Sequence, residues 1–254
     1  MNRSSTEKPN YGNWVSTRLI FLPVIVSLIF IGLAIKFPIL IIIGILFLLI
    51  TIYFAYARYM FSPRGGNIQE RIRALVLSNL EWNGGGKILD IGCGSGSLTI
   101  ALAKKYAESR VNGIDYWGEQ WEYSKKICKK NAEIEGVVDR VIFQKASAAA
   151  LPFDNDSFDV VVSNLVFHEV SSVKDKKELI REALRVVKKG GHFIFQDLFL
   201  WKQMYGEPDE LIKTIRSWGI KEVKLINTNN SAFIPTILKL PFMVGTIGII
   251  LGEK

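Results

Sequence analysis

Cysteine and histidine are scarce in this chain, with two of each among 254 residues. Cys93 and Cys128 are too few for a disulfide framework or a cysteine-based zinc site, and their setting is that of a reduced, cytosolic domain. Acidic residues are almost missing from the N-terminal quarter. Up to Met60 the only one is Glu7, against Arg3, Lys8, Arg18, Lys36 and Arg58. That stretch carries half of the net charge of +8; in the remainder, basic residues are mixed with many acids. No continuous basic groove for nucleic acid is therefore expected, and the flanking cations suit an anionic membrane surface instead. Internal repeats and low-complexity tracts are lacking as well.

Two segments lack charge altogether, Leu19–Ile35 and Phe37–Ala57, with Lys36 and Pro38 marking a minimal turn between them. As helices they would be roughly 25 and 31 Å long, near the thickness of bilayer hydrocarbon. Arg3, Lys8 and Arg18 precede the first run. Arg58, Arg64, Arg71 and Arg73 follow the second. The positive-inside rule then puts both ends in the cytosol, with Tyr11, Trp14, Tyr53, Tyr56 and Tyr59 in one interfacial belt. The expectation is a multi-pass membrane protein with two spans and a cytosolic C-terminal domain. Two other readings stay open: a cleaved signal peptide ending near Gly32-Leu33-Ala34, and a re-entrant or monotopic hairpin that does not span. The expected organisation is an N-terminal segment over 1–18, a membrane hairpin over 19–60, a linker over 61–67 containing Pro63, Gly65 and Gly66, and a folded domain over 68–254.

From residue 68 the pattern alternates. Helices are expected at Gln69–Leu80, Leu98–Ala107, Gln120–Glu135, Lys176–Val187 and from Pro208 to Trp218. Strands are expected at Lys87–Ile91, Arg110–Ile114, Val141–Gln144, Phe158–Ser163, His192–Asp197 and near Glu222–Ile226. Thr246–Leu251 is β-branched and reads as an antiparallel edge strand. Such alternation predicts an α/β fold with a mostly parallel, doubly wound sheet.

Within it, Ile88-Leu89-Asp90-Ile91-Gly92-Cys93-Gly94-Ser95-Gly96-Ser97 runs an apolar strand into a glycine-rich turn that opens a helix. Glycine permits the tight turn and lets a ligand approach the backbone, and free N–H groups at the helix start favour an anionic group. The spacing is Gly-x-Gly-x-Gly, which does not fit the dinucleotide pattern. Asp115 ends the next strand, 19 residues after Gly96, where a carboxylate can accept both hydroxyls of a ribose.

Asp-Ile-Gly-Cys-Gly-Ser-Gly, Gly113-Ile114-Asp115, Leu151-Pro152-Phe153 with Ser157-Phe158-Asp159, and Arg185-Val186-Val187-Lys188-Lys189-Gly190-Gly191 follow one another in an order and spacing that resembles the class I methyltransferase series. The resemblance covers residues 85 to about 200. It implies a seven-stranded Rossmann-like sheet and S-adenosyl-L-methionine as methyl donor. Carried over, Asp90, Gly92, Cys93, Gly94 and Gly96 would hold the methionine end of the cofactor and Asp115 its ribose. Tyr116 and Trp117 would flank the adenine. Ser147 and Ala148 stand where the family often has an acid that binds the adenine amino group. Asn164 lies in the loop after the fourth strand, which in this fold faces the sulfonium.

In the same loop, His168 and Glu169 are the acid–base candidates; His168 could take a proton from a phenol, thiol or hydroxyl, or simply shape the pocket. His192 reads as structural. Trp117, Trp121 and Tyr123 read more readily as core or lid than as a cofactor box. Asp154, Asp156 and Asp159 lie in a turn without a nearby His or Cys, so no metal is expected. The leading function is methyl transfer to a small apolar acceptor in or near the bilayer, such as a quinone or phenol, a lipid, or a thiol. Ser231–Phe242 could form an apolar mouth beside the membrane. Rival readings are a cofactor-binding but idle membrane scaffold or sensor, and a protein or RNA methyltransferase. The acceptor and the oligomeric state are not encoded legibly.

Overall fold

The computed structural model describes residues 7–118, 123–220 and 222–254. The chain divides into two compact units, Gly12–Ile72, and Arg73–Lys254 together with the segment up to Tyr11.

The Gly12–Ile72 unit is a helical hairpin. Helix α1 (Arg18–Ala34) and helix α2 (Ile41–Phe61) pack on each other across a short 3-10 turn, Pro38–Leu40. The crossing is made by small residues. Ser27 Oγ donates to the Gly44 carbonyl at 2.8 Å, and a Cβ at Gly44 would lie 2.7 Å from Ile31 Cγ1 and 3.2 Å from its nitrogen. Close backbone approach plus an interhelical hydrogen bond is how helices associate in an apolar medium. Elsewhere the pattern is inverted: Ser27 is 2% exposed, whereas Leu22 and Leu28 are 66% and 65% exposed. Among the described residues, one helical stretch, Pro38–Phe61, is long and apolar enough to cross a membrane; the 17-residue Arg18–Ala34 is shorter. The ends of the hairpin are tied by Asn13 Nδ2 donating to the Arg58 carbonyl (2.9 Å), the Arg58 guanidinium donating to the Val15 carbonyl, and Trp14 against Phe61.

After α3 (Ile68–Asn79) the second unit is a seven-stranded mixed sheet flanked by helices. Its elements are β1 (Gly86–Ile91), α4 (Ser97–Lys105), β2 (Ser109–Asp115), α5 (Lys125–Ile134), β3 (Val141–Lys145), β4 (Phe158–Asn164), α6 (Lys177–Arg185), β5 (Val187–Asp197), α7 (Lys202–Tyr205), α8 (Pro208–Ser217), β6 (Glu222–Asn227) and β7 (Gly248–Glu253). The order is β3-β2-β1-β4-β5-β7-β6, with β1 to β5 parallel and β7 antiparallel to both its neighbours. Central strands β1 and β4 are buried apolar runs, as a sheet covered on both faces requires.

Three sequence expectations need correction. The Thr246–Leu251 strand is antiparallel but not an edge: it sits between β5 and β6, and Ile247, Ile249 and Ile250 are fully buried. The edge is β6, in which Val223 is buried and Glu222, Lys224 and Asn227 are exposed. Strand β5 begins at Val187 rather than at His192, so the pair Gly190-Gly191 lies inside it. The helix expected from Gln120 starts at Lys125, with Ser124 capping it by accepting from the Ile127 N–H; residues 119–122, Trp121 among them, lie outside the described residues.

Candidate active site at the strand tips

Parallel strands β1, β2, β4 and β5 end on one side of the sheet, and the candidate residues collect there. The turn after β1 puts Gly92, Gly94 and Gly96 at φ of 73°, 55° and 82°, which L side chains avoid. At Gly92 there is also no room, since a Cβ would fall 2.1 Å from Val166 Cγ2. The turn is pinned to β2 through the Gly92 and Cys93 N–H groups, which donate to the Ile114 carbonyl at 2.8 and 2.9 Å. Gly96 then leads into α4.

Asp115 closes this arrangement. Its Oδ2 accepts from the Gly94 N–H at 2.8 Å and its Oδ1 from the Trp117 N–H at 2.7 Å. Burial raises its pKa and these N–H donors oppose the rise. A carboxylate has about four acceptor positions, so each oxygen keeps capacity for a hydroxyl. Asp90 is almost fully buried, and Thr99 Oγ1 donates to its Oδ2 at 2.6 Å. Burial pushes Asp90 up to about 7, against the Thr99 bond and with help from the Asp115 charge. The Cys93 thiol is buried, beside Cys128, and burial keeps it neutral.

Trp117 has a positive φ of 44°, and its indole Nε1 donates to the Gly94 carbonyl at 2.9 Å. It therefore touches the turn directly, whereas Tyr116 is exposed with Lys145 over its ring. Ser147 and Ala148 adjoin β2: the preceding Ala146 N–H donates to the Asp115 carbonyl at 3.0 Å, and Ser147 Oγ accepts from the Ala149 N–H. Asn164 pairs in register with Gln196. Its Oδ1, and both ends of the Gln196 carboxamide, are buried without a hydrogen-bond partner. Orphaned buried polar atoms are costly and mark where a ligand or water belongs.

A second cluster sits after β4. Leu165 takes φ 58° and its N–H donates to the Gln196 carbonyl, turning the chain sharply into the 3-10 turn Phe167–Glu169. The turn is bound to Asp197, at the tip of β5. Asp197 Oδ2 accepts from the Val166, Phe167 and His168 N–H groups at 3.1, 2.7 and 3.4 Å, and Oδ1 from the Leu198 N–H at 2.6 Å. His168 Nδ1 lies 2.7 Å from Asp197 Oδ1, and Nε2 lies 3.3 Å from Glu169 Oε1. Burial alone would lower the His168 pKa, but the Asp197 charge and hydrogen bond, followed by Glu169, lift it to about 10. Sequence reasoning missed Asp197. Its local signal was only an acid ending an apolar strand; its role depends on β5 lying beside β4.

Asp159 accepts from the Lys87 N–H and pairs with Lys188, Asp156 pairs with Lys254, and His192 lies within β5.

Residues 89–195 match the methyltransferase-domain family model. A probable cobalt-precorrin-6B C(15)-methyltransferase (decarboxylating) of Saccharolobus solfataricus is 34% identical over 135 residues, 52% of this chain and 62% of that protein. The demethylmenaquinone methyltransferase of Lactiplantibacillus plantarum is 30% identical over 138 residues, 54% and 52% of the two chains. The chain thus spans about half the length of the curated relatives it matches. Among solved structures, geranyl diphosphate C-methyltransferase of Streptomyces coelicolor A3(2), in complex with Mg2+, geranyl-S-thiolodiphosphate and S-adenosyl-L-homocysteine, shares the fold. Its TM-score is 0.56 at 15% identity, covering 74% of this chain and 76% of that one. The family match and the sequence relatives support an S-adenosylmethionine-dependent methyltransferase domain, with S-adenosylmethionine as its cofactor, and the solved structure shares its fold.

Proposed function

We propose that this chain transfers a methyl group from S-adenosylmethionine to a small apolar acceptor at a membrane, with the 19–60 hairpin as its tether. The observation that carries the cofactor reading is the Asp115–Gly94 link: a strand-tip carboxylate and a left-handed glycine turn held together with acceptor capacity to spare. Asp115 would hold the ribose, with Tyr116 and Trp117 flanking the adenine and Ser147 and Ala148 near its rim. Asp90, Gly92, Cys93, Gly94 and Gly96 would hold the methionine end, and Asn164 would supply its orphaned Oδ1 to the same ligand. The bound cofactor would supply an electrophilic methyl group; the chain's own task is to align the acceptor and exclude water. His168 and Glu169, at the tip of β4, are the groups placed to meet the acceptor's polar atom.

The membrane reading is supported by the inverted hairpin, in which apolar side chains face outward and Ser27 is enclosed. In lipid that pattern is favourable; in water it would expose a large apolar surface. Ile237, Leu240 and Phe242, exposed in the connection between β6 and β7, add an apolar patch suited to an apolar acceptor or lipid. The test is turnover of labelled S-adenosylmethionine on a membrane lipid extract by the full-length protein. Methylated product should partition into the organic phase. Cofactor binding without any turnover would favour an idle scaffold or sensor.

A further inference from the structure

Asp197 is fully enclosed and its two oxygens accept from four backbone N–H groups, so it is fixed in place and ionised. Having no proton to give, it compels His168 Nδ1 to be the donor in their 2.7 Å bond. The ring's other nitrogen faces away from it, toward Glu169. The His168 side chain is 18% exposed and that of Glu169 46%, so the Glu169 carboxylate is the displaceable partner and the Asp197 carboxylate the permanent one. The charged groups against the imidazole are Asp197 from β5 and Glu169 from its own turn. Tyr205, from α7, faces Asp197 and is held neutral by burial and by that charge.

We propose that Asp197 is a positioning residue which makes His168 a standing cation, and that the acceptor is an acidic hydroxyl compound, a phenol or enol, bound as its oxyanion on the Nε2–H in place of Glu169. This rests on the methyltransferase reading and narrows its acceptor class. It also reverses the role expected of His168. An imidazole that already carries both protons accepts none, so it stabilises an oxygen anion rather than creating one. On binding, the hydroxyl's proton passes to solvent, the O–H bond's electron pair stays on oxygen, and the imidazolium is unchanged. The dry carboxylate beneath the ring supplies the orientation that a lone surface histidine lacks.

The test uses full-length protein in detergent micelles and two readouts that do not need turnover. The chain has only two histidines, so nitrogen-15 ring spectra resolve His168, with His192 as internal reference. In the wild type His168 should stay doubly protonated at pH 8; in Asp197→Asn its midpoint should fall by on the order of 1–3 pH units. The second readout is the absorbance of 4-hydroxybenzaldehyde, whose phenol and phenolate forms differ in colour. At pH 6.5, wild-type protein should bind it as phenolate. Glu169→Gln should tighten binding, and His168→Gln should weaken it at least about tenfold, worth about 1.4 kcal/mol. Cofactor calorimetry on each variant reports whether the fold survives, and His168→Gln serves if Asp197→Asn does not fold. A neutral His168 at pH 8, a probe bound as neutral phenol, or no binding of the probe overturns the proposal. Failure of the wild type to bind S-adenosylmethionine would instead overturn the methyltransferase reading, leaving the His168 titration to stand by itself.

Discussion

The two units expose different chemistry. In Gly12–Ile72 the buried residues of α1 and α2 include Ser27, Gly44 and Thr51 as well as Ala57 and Phe61, and most leucines and isoleucines of the two helices are exposed. In Arg73–Lys254 the core is Ile88, Val160, Val162, Ile194 and their neighbours, and the buried polar groups Asp90, Asn131 and Asp197 are hydrogen-bonded. The comparison teaches that apolar content alone says little; what matters is which side of a helix or sheet it occupies.

Substitutions of one chemistry break the comparison most strongly. Val161→Asp places an unpaired carboxylate in the middle of β4, and the catalytic unit should lose its cooperative melt by circular dichroism, because burial of an unpaired charge costs several kcal/mol. Leu46→Arg on the outer side of α2 should leave that melt intact yet shift the protein from the membrane to the soluble or aggregated fraction in flotation gradients. The cost in lipid is about 2.5–3.5 kcal/mol. If the variant floats like the wild type, the outward apolar face is not in lipid.

Next in size is Asp115→Ala. Loss of a charge-assisted hydrogen bond of about 1.5–3 kcal/mol should weaken S-adenosylmethionine binding by roughly ten- to 150-fold. The measurement is a calorimetric titration beside an unchanged far-ultraviolet spectrum.

A pH series sharpens the contrast at Asp90. Because burial raises this carboxyl to about 7, its neutral form is favoured by folding. Its stability contribution is present at low pH and is lost as pH rises through about 7. Binding of a cationic ligand favours the ionised form, so cofactor affinity should increase between pH 6 and 8. Asp90→Asn should flatten that increase while raising the melting temperature of the ligand-free protein at pH 8. Equal slopes in the two proteins would remove Asp90 from the binding account.

The smallest effect belongs to the hairpin crossing. Ser27→Ala removes the bond to the Gly44 carbonyl, worth about 0.6 kcal/mol between helices in lipid. It should barely alter helix association measured by fluorescence transfer across the hairpin. Gly44→Leu should disrupt it more, since its Cβ meets Ile31.

Most of the sheet was legible from alternation and glycine spacing, because β1, β2 and β4 are local patterns whose ends are marked by Gly92, Asp115 and Asn164. The place of β7 was not, since a β-branched run is equally compatible with an edge and with insertion between β5 and β6. The Asp115–Gly94 link follows from motif order. The Asp197–His168 pair does not, because the two are 29 residues apart and meet only through strand pairing. The N-terminal segment is similar. Nothing local to Asn10 and Tyr11 shows that Asn10 exchanges hydrogen bonds with the buried Asn131 side chain, or that the Tyr11 carbonyl accepts from Ser95 Oγ in the glycine turn. A fragment cut at the glycine–proline linker would lose both contacts.

A cofactor site built by the glycine turn and Asp115 can be probed by titrating S-adenosylmethionine into the full-length protein in a calorimeter. Saturable binding of one cofactor per chain is expected, weakened at least tenfold by Asp115→Ala. Absence of binding by the folded wild-type protein, or equal affinity in wild type and variant, would contradict it.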